Sequence, residues 1–263
     1  MEMINWKDLL YPYQQTMDEL LIKFRNLDAE YRYLGLYSPI DGVTGRVKSI
    51  TSILEKANRK QIPADRIAEE IEDIAGLRIL CQFTEDIPKV VEMIRRRKDM
   101  RVVEERDYVH HHKESGYRSY HMIIRYPLQT ALGFKEIPAE IQIRTNAMNF
   151  WAAAEHSLRY KYSGNVPKAL QERLINCAEA ANRLDEEMST IREEITNATR
   201  ENQIKEGLVS NILDKLHILY FRENMEEAEQ MNEEFIRLWN EDNLEGMKAL
   251  NDKLNVLAET FRL

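Results

Sequence analysis

The 263-residue sequence contains only two cysteines, nine glycines and seven prolines, and it has no long apolar run. Cys81 and Cys177 lie far apart and form no C-x-x-C pair, which argues against a disulfide framework and a cysteine-rich zinc site. We expect both to be buried small hydrophobic residues in a reducing compartment. No stretch approaches the about 18 apolar residues of a membrane span, and the N-terminus lacks a signal-peptide pattern. These absences predict a cytoplasmic protein that does not bind the membrane.

The negative charge is concentrated at the C-terminal end of the chain. The net charge is −8, and residues 201–263 contain 7 Lys and Arg against 14 Asp and Glu, which leaves −1 for residues 1–200. A near-neutral first part can still gather cations around an anionic ligand, whereas the acidic total argues against indiscriminate nucleic-acid binding.

The order of apolar patterns predicts helices and strands in one body, followed by helices alone. Periodicity indicates helices at 5–25, 45–60, 87–97, 146–160 and 167–200, and strands at 77–83, 101–106, 119–126 and 139–145. In the last strand, Glu140, Gln142 and Arg144 alternate with Ile141 and Ile143, so one face is polar and the other buried. This order predicts an α+β fold with a mixed β-sheet flanked by helices.

The acidic end of the chain predicts a helical hairpin. A short repeat relates the sequence after Asn224 to that after Asn243, and each asparagine is placed to cap a helix. We therefore divide the chain into a domain at residues 1–200 and an acidic helical extension at residues 201–263. Two helices are too few for an independent solenoid, so we expect the extension to contact the body, another subunit or a protein partner.

The segment at residues 44–59 carries four cations: Arg46, Lys48, Lys56 and Arg59. Spacings of eight and three residues place the last three on one face of the predicted helix. Such a stripe is either a solvated basic face or a phosphate-binding surface at a helix start. No G-x-x-x-x-G-K-[ST] motif is present, so it is not a P-loop.

Two carboxylates lie at predicted strands. Asp73 shortly precedes the strand at 77–83, and Glu140 lies on the polar face of the strand at 139–145. Carboxylates on neighbouring strands can hold Mg²⁺, which prefers carboxylate, water and phosphate oxygens. Alone, Asp73 could equally be an ordinary helix or turn residue.

The segment from His110 to His121 is the richest polar stretch. Its three adjacent histidines lack the spacing of zinc ligands, so we interpret it as a basic loop leading into a strand. Tyr117 in this loop is available either to stack on a base or to pack against its neighbours.

Together these segments resemble the synthetase motifs of the RelA/SpoT homologues, and most closely the RelQ-type small alarmone synthetases. The resemblance covers roughly residues 5–195 and is carried by TGRVK at 44–48, DIAGLR at 73–78, KESGYRSYH at 113–121, EIQIRT at 140–145 and the stretch at 149–164. Five motifs in unbroken order are far more specific than any one of them.

The resemblance implies a nucleotidyltransferase-like fold and transfer of the β,γ-pyrophosphate of ATP to the 3′-hydroxyl of GDP or GTP. It implies ATP contacts from Arg46, Lys48, Lys56, Arg59, Arg78 and Arg106. It implies acceptor contacts from Lys113, Tyr117, Gln142, Asn149 and His156. Asp73 and Glu140 are the implied catalytic and Mg²⁺-binding residues, with Glu140 as proton acceptor or metal ligand.

The resemblance also implies a homotetramer. Where similar proteins can present an aromatic residue to a second guanine, this chain has Gly42, which argues against activation by product. It has no His-Asp dipeptide and no room for the hydrolase domain of the long family members, so we expect no product degradation.

Two other functions remain compatible with the sequence. One is a related pyrophosphokinase that acts on adenosine nucleotides or on the 3′ end of tRNA, since small pocket changes can redirect an acceptor. The other is a non-catalytic regulator that binds nucleotides or RNA. The KESGYRSYH segment favours a free guanine nucleotide over the first, and the presence of both Asp73 and Glu140 argues against the second.

Overall fold

A computed structural model describes residues 5–161, 167–221 and 225–260. The helices in these ranges are α1 (Trp6–Tyr33), α2 (Ile50–Lys60), α3 (Ile67–Glu70), α4 (Asp86–Arg95), α5 (Asn146–Lys161), α6 (Lys168–Phe221), α7 (Met225–Asn240) and α8 (Leu244–Thr260). The strands are β1 (Gly42–Val47), β2 (Ala75–Cys81), β3 (Arg101–Asp107), β4 (Tyr120–Thr130) and β5 (Gly133–Thr145). None of the helices among the described residues is long and apolar enough to cross a membrane.

The five strands form one mixed sheet in the order β1-β2-β5-β4-β3. Strands β2 and β5 are parallel, and the other neighbours are antiparallel. The predicted α+β fold, a mixed sheet flanked by helices with an all-helical C-terminal extension, is confirmed.

One face of the sheet builds the hydrophobic core. In β2, the residues Ala75, Leu77, Ile79 and Cys81 are buried, and the parallel register places Ile141 and Ile143 of β5 beside Leu77 and Ile79. Helix α1 packs on this face of the sheet. Its Met17 lies so near Gly45, which pairs with Leu77, that a Cβ atom added to Gly45 would lie 2.2 Å from Met17 Sδ. Because strand side chains alternate, the residues between these project to the opposite face.

The prediction of one helix over residues 45–60 is wrong for residues 45–49. Residues Gly42–Val47 form β1, which pairs antiparallel with β2, and α2 begins only at Ile50. Ser49 caps α2 by accepting a hydrogen bond from the Ser52 backbone N–H, as N-cap serines commonly do. The backbone bonds to β2 override the helical spacing of the segment, and Arg46 consequently projects from a strand.

The chain divides into two compact units, Met1–Ser189 and Thr190–Leu263, with the division inside α6. The second unit has its own core, which includes Ile212, Phe235, Met247 and Leu250. The functional division into residues 1–200 and 201–263 stays a prediction.

Asn243 caps α8 as predicted, because its side chain accepts a hydrogen bond from the Gly246 backbone N–H at 2.8 Å. The cap predicted at Asn224 lies outside the described residues, as does the end of the family motif at residues 162–164.

The expectation of two buried cysteines is wrong for one of them: Cys81 is buried, whereas Cys177 is exposed on α6.

Candidate active site

The polar face of the sheet brings together residues from all five strands. The register places Arg46, Gly76 and Glu140 in one row across β1, β2 and β5. The next row runs across all five strands through Thr44, Arg78, Gln142, His121 and Arg106. Residues in register lie about 5 Å apart, so segments distant in sequence become neighbours.

A cavity of about 260 Å³ opens on this face. Its lining residues are Thr44, Gly45, Arg46, Lys48, Asp73, Gly76, Leu77, Arg78, Glu140 and Gln142. Asp73 and Glu140 therefore share one cavity, with cations around them.

Asp73 holds two lysines of the basic segment. Its Oδ2 lies 2.5 Å from Lys48 Nζ, and its Oδ1 lies 2.8 Å from Lys56 Nζ. Burial favours the neutral acid, but the hydrogen bonds and charges of both lysines outweigh it and hold the pKa of Asp73 below its ordinary value. The carboxylate is thus ionised at neutral pH and holds both ammonium groups, of which that of Lys48 belongs to a residue lining the cavity.

Arg46 and Arg78 add like charges on adjacent strands. Burial, and then the nearby charge of Arg46, lowers the pKa of Arg78 below its ordinary value. Within the described part of the chain, the buried Nε of Arg78 has no hydrogen-bond acceptor. Two neighbouring guanidinium groups with an unsatisfied donor are suited to an anionic ligand such as a phosphate.

Glu140 belongs to a closed ring of hydrogen bonds. Its Oε1 lies 2.9 Å from His121 Nδ1, and its Oε2 accepts from Gln142 Nε2 at 2.7 Å. Arg144 donates to Gln142 Oε1 and, at 3.1 Å, to the Tyr117 hydroxyl, which lies 2.8 Å from His121 Nε2. The predicted polar face of Glu140, Gln142 and Arg144 is confirmed.

The ring also fixes the charge state of Glu140. Burial raises its pKa, but the hydrogen bond and charge of His121 and the hydrogen bond from Gln142 outweigh burial, so the pKa lies below its ordinary value. Because the carboxylate can only accept hydrogen bonds, His121 Nδ1 carries a proton and donates it to Glu140 Oε1. Glu140 is held ionised in a fixed orientation beside the cavity.

Lys113 lies beside Tyr117, whose hydroxyl belongs to this set of hydrogen bonds. Lys113 Nζ is 5.1 Å from the centre of the Tyr117 ring and 4.5 Å from that of Tyr108. A cation beside two aromatic faces suits an anionic ligand that also carries a flat base.

Seven predicted residues, all in the described part of the chain, do not line the cavity: Lys56, Lys113 and Tyr117, whose contacts are given above, and Arg59, Arg106, Asn149 and His156. Arg59 is exposed near the end of α2, and His156 is exposed on α5. Arg106 is paired with Glu104 at 2.6 Å and lies 3.7 Å from Glu72. Asn149, on α5, has a buried side-chain oxygen without a hydrogen-bond donor among the described residues. Any contact of these residues with a ligand would be made outside the cavity.

Sequence reasoning missed His121 and Arg144 as site residues. His121 stands at the end of the KESGYRSYH motif, where a single histidine in a predicted strand is less conspicuous than the three adjacent histidines before it. None of those belongs to a metal-binding cluster of three ligands within the described residues, and His110 is bonded to Asp107 at 2.7 Å. The missing signal was the pairing of His121 with Gln142 across β4 and β5, which links segments about 20 residues apart.

The two carboxylates are a donor set that fits a hard divalent cation. Asp73 and Glu140 both supply carboxylate oxygens to one cavity, and the pKa of each lies below its ordinary value. Mg²⁺ is typically held by one or two carboxylates together with substrate phosphates, rather than by an all-protein cage. The residues present therefore fit a magnesium ion that arrives with a phosphate ligand.

Comparison with known proteins finds close relatives. Residues 45–165 match the family model described as a region found in RelA / SpoT proteins. The chain is 57% identical over 194 residues to GTP pyrophosphokinase YjbM of Bacillus subtilis, which covers 74% of this chain and 92% of that protein. It is 42% identical over 195 residues to GTP pyrophosphokinase YwaC of the same organism, covering 73% of this chain and 93% of that protein.

Solved structures agree with the sequence comparison. The small alarmone synthetase 1 of Bacillus subtilis, bound to its product pppGpp, aligns with a TM-score of 0.70 at 57% identity, over 72% of this chain and 97% of that one. A GTP pyrophosphokinase family protein from Streptococcus pneumoniae aligns with a TM-score of 0.71 at 49% identity, over 74% and 97%. Because sequence and fold agree over nearly the whole length of these relatives, the chain belongs to the RelA/SpoT family and, within it, to the small alarmone synthetases.

Proposed function

We propose that the protein is a (p)ppGpp synthetase, which transfers the β,γ-pyrophosphate of ATP to the 3′-hydroxyl of GDP or GTP and releases AMP. One observation carries the proposal: Asp73 and Glu140 share a cavity with Arg46, Lys48 and Arg78. The names of two relatives, both GTP pyrophosphokinases, and the pppGpp bound to a similar structure support it.

The donor side of the site is the cationic one. Arg46, Lys48 and Arg78 line the cavity, and Lys56 reaches it through Asp73. We infer that these groups hold the ATP phosphates, with Arg59 and Arg106 completing the contacts from the rim. Positioning and charge neutralisation account for most of the catalysis of phosphoryl transfer, so a dense set of cations is what the reaction needs.

We propose that Asp73 and Glu140 hold Mg²⁺ together with the ATP phosphates. When bound, the ion neutralises charge that develops on the transferred phosphates. Lys48 and Lys56, which neutralise Asp73 in the structure, would then turn to phosphate oxygens. The chain's own cations and carboxylates thus exchange partners without leaving a buried charge unpaired.

The acceptor side supplies the proton acceptor. The 3′-oxygen attacks the β-phosphorus, the bond from that phosphorus to the bridging α,β-oxygen breaks, and AMP departs with that oxygen. Glu140 takes the hydroxyl proton, since it is ionised and its position is fixed by His121 and Gln142. Tyr117 stacks on guanine, while Lys113, Gln142, Asn149 and His156 contact the acceptor nucleotide.

An assay with ATP labelled in its γ-phosphate tests the activity directly. Incubation with GDP, GTP or GMP and separation on thin layers should give a labelled guanosine pyrophosphate together with unlabelled AMP. Transfer to ADP, ATP or tRNA but to no guanine nucleotide would favour the related pyrophosphokinase. Binding without transfer to any acceptor would favour the non-catalytic regulator.

Tyr117 provides a prediction about acceptor binding. Its replacement by alanine removes a stacking surface worth about 1–3 kcal/mol per base, so the KM for GDP or GTP should rise by about fivefold to 150-fold. The KM for ATP should change little. Tyr117→Phe is the matched control, since it keeps the ring but loses the hydroxyl contacts with His121 and Arg144. An acceptor KM that Tyr117→Ala leaves unchanged would contradict the stacking role.

We also propose that the protein assembles into a homotetramer. Exposed apolar side chains at the end of α1 and just after it support a subunit contact: Tyr33, Leu34, Leu36 and Tyr37 are all at least 47% exposed. Light scattering on the purified full chain measures the mass, and a monomer at micromolar concentration would contradict the proposal. Roles for the C-terminal extension in subunit or protein contacts, and RNA binding, stay predictions.

A further inference from the structure

Helix α6 contacts the loop that carries the acceptor residues Lys113 and Tyr117. Gly116, in this loop, has a φ of +84°, and a Cβ atom built on it would lie only 2.5 Å from the Cβ of Ala178 on α6. Such closeness leaves no space for a side chain on the loop at this point. The loop backbone therefore lies directly on the helix surface.

A buried cation joins the same two elements. Arg118, which is only 8% exposed, donates to the Gly116 carbonyl oxygen and, at 3.1 Å, to Glu179 Oε1 on α6. The loop closes on itself as well, since the Gly116 N–H donates to the Lys113 carbonyl oxygen at 2.8 Å. Arg118 thus links the turn that presents Lys113 and Tyr117 to Glu179.

An apolar cluster continues this contact towards α5. Trp151, Ala152 and Ala178 are buried together, and Tyr117 and Ala181 pack against them. Trp151 Nε1 donates to the Leu174 carbonyl oxygen of α6 at 2.9 Å. One side of the Tyr117 environment is therefore formed by α6 itself. All these α6 residues lie within the first compact unit.

We propose that Ala178 and Glu179 of α6 are positioning residues that set the affinity for the acceptor nucleotide by fixing the Lys113–Tyr117 loop. The inference rests on the proposed function for the identity of the acceptor. Residues 178 and 179 lie outside the part of the chain that matches the family model, residues 45–165. They touch neither the cavity nor its carboxylates, so they act through the loop.

Two substitutions on α6 test the inference. Ala178→Leu adds three carbon atoms where the loop backbone meets the helix, and Glu179→Lys places a cation opposite Arg118. A shift of about 1 Å can cost up to about a hundredfold, so we expect the acceptor KM to rise about tenfold or more for Ala178→Leu. Glu179 is about half exposed, and a smaller rise of about threefold to tenfold is expected for Glu179→Lys.

The readout is the ratio of the acceptor KM to the ATP KM in steady-state transfer by the full chain. The ATP KM should remain near wild type for Glu179→Lys, whereas the thermal midpoint should fall, because the buried Arg118 loses its carboxylate partner; both KM values are therefore measured well below that midpoint. Glu172→Lys, at an exposed site on the same helix, is the matched control and should leave both KM values unchanged. Ala178→Ser, which adds a single heavy atom, should leave the acceptor KM near the wild-type value.

The outcomes separate this inference from the proposed function. Equal changes in both KM values, or no change for Glu179→Lys and Ala178→Leu in an active enzyme, would overturn the positioning role and leave the activity standing. Wild-type protein without transfer to guanine nucleotides would instead refute the activity. If Ala178→Leu does not fold, Glu179→Lys decides alone.

Discussion

Replacing Glu140 by glutamine should reduce pyrophosphate transfer by about a hundredfold to ten-thousandfold, because a positioned general base contributes about that much. Glutamine keeps the size of the side chain and can still accept a hydrogen bond from His121 through its amide oxygen. It cannot take the proton of the 3′-hydroxyl, and it is a poor magnesium ligand. The substitution thus removes the chemistry while keeping the packing of β5.

Nucleotide binding should survive this substitution. The cations that face the cavity, Arg46, Lys48 and Arg78, are unchanged, so a non-hydrolysable ATP analogue should still bind in calorimetry. Glu136→Gln is the matched control: it lies on the same strand, outside this cavity and 3.3 Å from Arg101, and should leave turnover near wild type. Turnover of Glu140→Gln within a few fold of wild type would remove Glu140 from its proposed role.

Asp73→Asn should lower turnover by about a hundredfold to a thousandfold, the loss typical of removing one preorganised electrostatic group. The carboxylate that fixes Lys48 and Lys56 becomes a neutral amide, and the proposed metal site loses one of its two charges. The lysines can move towards solvent, since their side chains are 20% and 19% exposed. The protein should therefore stay folded.

The dependence on divalent cation distinguishes this effect from a general loss of function. The Mg²⁺ concentration needed for half-maximal rate should rise for Asp73→Asn, while the affinity for a non-hydrolysable ATP analogue measured without Mg²⁺ should be equal or higher, because two cations no longer have a protein partner. Asp65→Asn, at an exposed position in the turn before α3, is the control. A wild-type Mg²⁺ dependence in Asp73→Asn would contradict the metal role.

The residue types of the site can be predicted from the sequence. The alternation of Glu140, Gln142 and Arg144 with buried isoleucines predicted a strand with one polar face, and β5 has that face. The basic segment at residues 44–59 and Asp73 are likewise candidate site residues on the sequence alone. Alternation has a period of two along one strand, so it needs no knowledge of what lies beside the strand.

Two errors have a shared cause. The helix predicted at residues 45–60 starts too early because Val47 continues the helical spacing of the apolar residues that follow it, yet residues 45–47 belong to β1, an edge strand paired with β2. The sequence does not single out His121, because its role comes from contacts with Gln142 and Glu140 on the neighbouring strand. In both cases the deciding interaction is made with a segment that is distant in sequence.

By itself, the sequence determined the α+β class, the helical extension, the residue types of the site and the family resemblance, since these depend on local periodicity and on motifs within short windows. Only the tertiary structure decided that Asp73 and Glu140 share a cavity and that His121 and Tyr117 belong to the hydrogen-bonded ring that includes Glu140. It alone also decided that α6 packs against the Lys113–Tyr117 loop. The physical reason is that strand register and helix packing are set by the burial of the whole core, and local spacing does not encode which distant segments are brought side by side.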